Sequence, residues 1–142
     1  MSNDETNVVR LPDAQLSQDA VVVRFGEMKD NDMALNAAKY NAYWFPRGRD
    51  EYALSVNVAL RPGMKADDVA VAAQRQWSVY HDSTVGALGK AGYVVRPTTE
   101  PDGHTSLVLP GKPSRKDWDA LREIFGPERP NPTRVWPHER TV

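Results

Sequence analysis

The sequence predicts an α+β fold: one small domain with a four- to five-stranded mixed or antiparallel sheet and three to four helices mainly on one face. Three observations lead there. Residues 52–58 alternate, with Tyr52, Leu54, Val56 and Val58 set against Ala53, Ser55 and Asn57, as in a strand with one buried side. Residues 114–126 carry every mark of a helix: Ser114 as N-cap, Asp117 three residues on, Trp118, Leu121 and Phe125 at helical spacing with Ile124 beside them, and Gly126-Pro127 as the stop. Helical and extended patterns alternate early, and two extended runs then follow each other late, which suits an α+β arrangement closed by a hairpin.

The remaining elements follow in chain order. Residues 1–18 are rich in Asn, Asp, Ser and Gln and read as a mobile arm, with Val8, Val9 and Leu11 sufficient for a short edge strand. Residues 19–25 form a strand apolar on both sides, which places it inside the sheet; only Arg24 interrupts the second side. Asp30-Asn31-Asp32 opens a helix in which Met33, Ala37, Tyr40 and Trp44 make one stripe. Pro46 to Asp50 is a loop. The Ala66–Trp77 segment reads as a helix whose inner stripe is Ala66, Val69, Ala73 and Trp77. Between Gln76 and His81 the pattern fits a continued helix or a short strand equally. Asp82 or Ser83 is expected to cap a short helix that Gly92 ends in the left-handed conformation. Tyr93–Arg96 and His104–Leu109 are the hairpin strands, joined through Pro101-Asp102-Gly103. The ordered core is expected over residues 19–126, and residues 127–142, with Pro127, Pro130, Pro132 and Pro137, form a C-terminal arm whose one large apolar group is Trp136.

Composition narrows the function classes. A chain of 142 residues with 40% apolar and 26% charged residues suits one soluble domain. The formal net charge of −1 argues against general nucleic-acid binding. There is no cysteine, which removes disulfides, thiolate metal sites and a cysteine nucleophile. The polar start lacks an apolar signal core and no apolar run is long enough to span a bilayer, so a cytoplasmic protein without a membrane partner is expected.

No motif specifies a chemistry. His81, His104 and His138 are scattered without metal-ligand spacing, so no metal is expected. No GxSxG elbow, P-loop or GxGxxG occurs. Two groups of residues are candidates for contact instead. The aromatic pair Tyr43 and Trp44, together with Arg47 and Arg49 around Gly48, is a candidate binding surface, and Trp136 on the arm is another. The second group is Arg24 on a strand, Ser55 on the polar side of a later strand, and His104 opening a late strand ahead of Thr105 and Ser106.

That order of Arg, Ser and His is similar to the order in some small bacterial toxins of the ADP-ribosyltransferase fold. The resemblance covers those positions alone. It implies a site in which Arg24 and His104 grip NAD and Ser55 supports them.

Two functions are therefore expected from the sequence. The first is a bacterial protein-interaction or regulatory module without catalysis or cofactor of its own, reaching another protein through the C-terminal arm or the aromatic cluster. The alternative is a small nucleotide- or NAD-binding enzyme using Arg24, Ser55 and His104, which requires those three residues to share one cleft.

Overall fold

The computed structural model describes residues 16–45, 48, 50–73, 77–97 and 104–132. Among them are the helices α1 (Asp30–Trp44), α2 (Ala66–Ala73), α3 (Val85–Lys90) and α4 (Arg115–Ile124), and the strands β1 (Val21–Phe25), β2 (Ala53–Val58), β3 (Val79–Thr84), β4 (Val94–Pro97), β5 (His104–Val108) and β6 (Arg129–Pro130). The class is the expected α+β, but the sheet has six strands in the order β4-β5-β2-β1-β3-β6, antiparallel throughout and curled into a half-barrel.

The additional strands are β3 and β6. The run Tyr80-His81-Asp82-Ser83-Thr84 has little apolar character. It is extended because β1 pairs along its whole length, from Val21 opposite Thr84 to Phe25 opposite Tyr80. β6 pairs Arg129 with Tyr80 and Pro130 with Val79, so packed chain continues beyond Gly126. At the other end, Leu16 packs on the main core. The expected edge strand at Val8, Val9 and Leu11 lies outside the described residues.

Side-chain parity divides the core. Val22 stands opposite Val58, and Val23 opposite Asn57, so the two valines face opposite ways. Val22 joins Leu54, Val56, Val95 and Leu107 in the main cluster, closed by Leu88 of α3 and by Trp118 and Leu121 of α4. Val23 joins Tyr80 beneath Met64, Val69 and Ala70 at α2 on the other side. Helix α1 serves both: Met33 and Ala37 enter the main cluster, while Tyr40, with Phe45, packs on Ala53 and Val108. Three of the four helices, α1, α3 and α4, thus cover the face of the main cluster, and α2 covers the other.

The two strongest sequence signals appear as read. Leu107 is fully buried and pairs between Leu54 and Val95. α4 follows Ser114, whose backbone N–H donates to the Asp117 carboxylate at 2.9 Å. Trp77 is different. Helix α2 is described over Ala66–Ala73, and Trp77, which lies outside it, is 58% exposed rather than part of an inner stripe. Thr84, rather than Asp82 or Ser83, caps α3, its hydroxyl accepting from the Ala87 N–H at 3.2 Å. No described helix is long and apolar enough to cross a membrane.

Candidate functional site

The site begins with a break in the sheet. β1 and β2 pair at Val22–Val58 and Val23–Asn57. Continuing that register would set Phe25 opposite Ser55, but the strands part and side chains take over the vacated positions. The Ser55 N–H donates to Asn36 Oδ1 at 2.8 Å, and the Ser55 carbonyl accepts from Arg24 Nη1 at 2.8 Å. The same Arg24 Nη1 donates to Asn36 Oδ1 at 2.7 Å. Asn36 comes from α1 and Arg24 from β1, so a helix and a strand together supply what a neighbouring strand ordinarily would. This satisfies backbone groups that would be costly to leave bare.

A cavity of about 400 Å³ opens over this break. Helix α1 lines it with Asp32, Leu35, Asn36 and Lys39, the i, i+3, i+4, i+7 stripe beside its core stripe. The sheet contributes Ser55 and Asn57 from β2 and His104, which stands directly across from Asn57 on β5. Arg24, Phe25, Gly26 and Glu27 form the β1 end, and Trp77 completes the rim.

Arg24 is the unusual group. It is 8% exposed. Nη1 is occupied by Asn36 and Ser55, and Nε is enclosed with no hydrogen-bond partner among the described residues. Burial lowers the pKa of the guanidinium to about 10, with Asp32 pulling the other way, so the side chain stays charged at neutral pH. Of the two cavity carboxylates, Glu27 is held by Lys29 at 3.3 Å, and Asp32 acts on Arg24. Lys39 makes no ion pair among the described residues. The lining thus carries two cations, Arg24 and Lys39, against two carboxylates, Glu27 and Asp32, and Arg24 is the buried one of the four.

Arg24, Ser55 and His104 line this one cavity. The other candidates are elsewhere. Tyr43 is 60% exposed and meets Trp44 edge-on, with ring centroids 5.0 Å apart, outside the cavity lining. Arg47, Arg49 and Trp136 lie outside the described residues. Sequence reasoning missed Asn36, Lys39 and Trp77. The first two form a polar stripe on α1, which alone reads as a solvated helix face. Trp77 was assigned to the core. Among the described residues no three or more His, Cys, Asp or Glu side chains converge as metal ligands would.

The arrangement offers a buried cation, a row of hydrogen-bonding side chains and an exposed indole around a concave space, which are the components of a small-ligand site. In comparisons with known proteins, no family model matches the chain, and no curated protein or solved structure matches it either.

Proposed function

We propose that the protein is a ligand-binding module that takes a small organic anion into the cavity over the β1–β2 break, with Arg24 as the anchoring cation. One observation carries this reading: a nine-tenths buried guanidinium in a cavity wall, whose Nη1 is built into the fold while its Nε is enclosed with no hydrogen-bond partner among the described residues. Enclosing a charge is expensive, and replacing a purely structural one with an apolar side chain is often neutral or stabilising. An incoming anion would supply what Arg24 lacks, through the charge-assisted hydrogen bonds that guanidinium makes best.

The reading draws on the nucleotide-binding alternative without its enzyme. A volume of about 400 Å³ is near the lower bound of common ligand sites, which suits a mononucleotide-sized molecule better than a whole NAD. The test is thermal unfolding against millimolar phosphate, pyrophosphate, mononucleotides, NAD and dicarboxylates. A ligand at a hundred times its Kd adds about 2.7 kcal/mol to stability. A rise in Tm that shrinks with added salt supports the proposal, and a flat response across the panel refutes it.

Tyr43 supports a second reading, a protein-contact surface on α1, because it is a large aromatic ring left exposed outside the cavity. A photoreactive residue at position 43 that crosslinks one specific protein, beside a silent ligand panel, would favour it.

A further inference from the structure

Helix α1 is apolar on two opposite sides. Met33, Ala37 and Tyr40 are buried and face the core. Leu35, Ala38 and Ala42 recur at i, i+3 and i+7 about half a turn away from that stripe, and all three are exposed. Leu35 is 56% exposed, and Tyr43, one turn beyond Lys39, is 60% exposed. The fold of a single chain uses the inner stripe alone. The outer one has the alternating spacing of three and four residues that forms a seam between two helices, and alanine at two of its positions lets a second helix axis come close.

The charges beside this seam favour one occupant. Asp32 lies one turn before Leu35 and Lys39 one turn after it, roughly 10 Å apart along the axis. The other acid of the first turn, Asp30, is held by Arg122. Asp32 and Lys39 make no ion pair among the described residues; Asp32 acts on Arg24 only through space. A second α1 laid antiparallel, with a two-fold axis beside Leu35, brings Asp32 of each copy to Lys39 of the other and sets the two Leu35 side chains together. A parallel copy would place Asp32 against Asp32 and Lys39 against Lys39. The outer face of α1 is thus complementary to itself in one orientation.

We infer that the chain forms an antiparallel dimer through the outer face of α1, with Leu35 at the axis and an Asp32–Lys39 pair on either side of it. The inference does not rest on anion binding, and it gives the contact surface on α1 an occupant. Asp32, Leu35 and Lys39 are also exposed members of the cavity lining, so the second copy stands beside the open side of the cavity. The 15 residues of α1 span about 22 Å, a short seam, which places the dimer among weak specific contacts.

The test is analytical ultracentrifugation of the full chain from about 1 to about 500 µM, the range in which a weak dimer dissociates. A monomer–dimer equilibrium is expected inside that range. Leu35→Glu is expected to leave a folded monomer throughout. Asp32→Lys and Lys39→Asp each turn two attractions into two repulsions, and each is expected to weaken self-association about 5- to 50-fold. Mixed one to one, these two variants are expected to form a heterodimer near the strength of the original, and a chain carrying both changes is expected to recover its homodimer. A chain that stays monomeric across the range overturns the inference, including a monomer in which crosslinking finds residues 133–142 on α1. So does a dimer that Leu35→Glu or the single charge changes leave intact, or a charge loss that mixing fails to restore. The charge variants decide the matter even if Leu35→Glu misfolds.

Discussion

Arg24 and Asn36 meet at 2.7 Å across a gap in the sheet, one from a strand and one from a helix, and both continue to the backbone of Ser55. The cavity exists because this contact replaces a rung of the ladder. Asn36 Oδ1 accepts from two donors at once, so it holds the guanidinium in place and satisfies the β2 backbone together.

Asn36→Leu should therefore unfold at lower urea concentration, by about 1–3 kcal/mol, the usual penalty for stranding polar partners. Asn36→Asp keeps an acceptor in place and should retain more stability. It also puts a second negative charge beside Arg24, so it should weaken anion binding while leaving the fold intact. Equal losses of stability in the two variants would show that the side-chain oxygen is not the important atom.

Gly26 has φ of +84°, and a methyl there would press on the indole of Trp77 at 3.2 Å. Gly26→Ala should cost roughly 1–2 kcal/mol from the left-handed backbone alone, with the clash in addition. In a Trp77→Leu background the clash is relieved and the backbone term stays. A double-mutant cycle by chemical denaturation should show this coupling, and additivity would mean the two residues are independent.

The C-terminal segment has a structural duty that its proline content concealed. Asn131 is buried, and Arg129 lies over the Tyr80 ring at 5.7 Å. Asn131→Ala should cost about 1–3 kcal/mol and redden Trp77 emission as its carbonyl loses a partner. A chain ending at Gly126 should lose more than that, since β3 becomes an uncovered edge as well. If that shortened chain is as stable as the full one, β6 contributes nothing.

Alkaline pH gives an independent check on the core. Burial, and then Asp117 accepting from the phenol at 3.2 Å, push Tyr93 up to about 12 from an ordinary 10.0. The folded state holds this proton more tightly than the unfolded chain. The stabilisation is therefore complete below pH 10 and is lost as pH rises toward 12. Tyr93→Phe should be less stable at pH 8 and should show a shallower decline over that window, measured as the difference from the unsubstituted protein. A parallel pH profile would contradict this.

Much of the fold was legible because its signals are local. The alternation at Tyr52–Val58 and the cap, stripe and stop around Trp118 depend on neighbours within a few residues. β3 was not legible as one strand, with its start open between helix and strand and Asp82 or Ser83 read as a helix cap, because His81, Asp82 and Ser83 have little strand preference of their own; β1 on one side and β6 on the other make the segment extended. The candidate site was legible as residue types only. Arg24, Ser55 and His104 are drawn together because β2 lies between β1 and β5, a neighbourhood that no local pattern encodes. Asn36 could not be found this way, since its role depends on where β1 and β2 separate.

The Asn131 contact also has a consequence for biosynthesis. A chain emerging from the ribosome exposes Arg24, Asn36, Ser55 and His104 well before it exposes Asn131, so most of the pocket can assemble while its aromatic wall is still unfastened. At about 5–20 residues per second, the nascent protein passes seconds in that state. The backbone at Trp77 is thus fastened only once Asn131 has emerged.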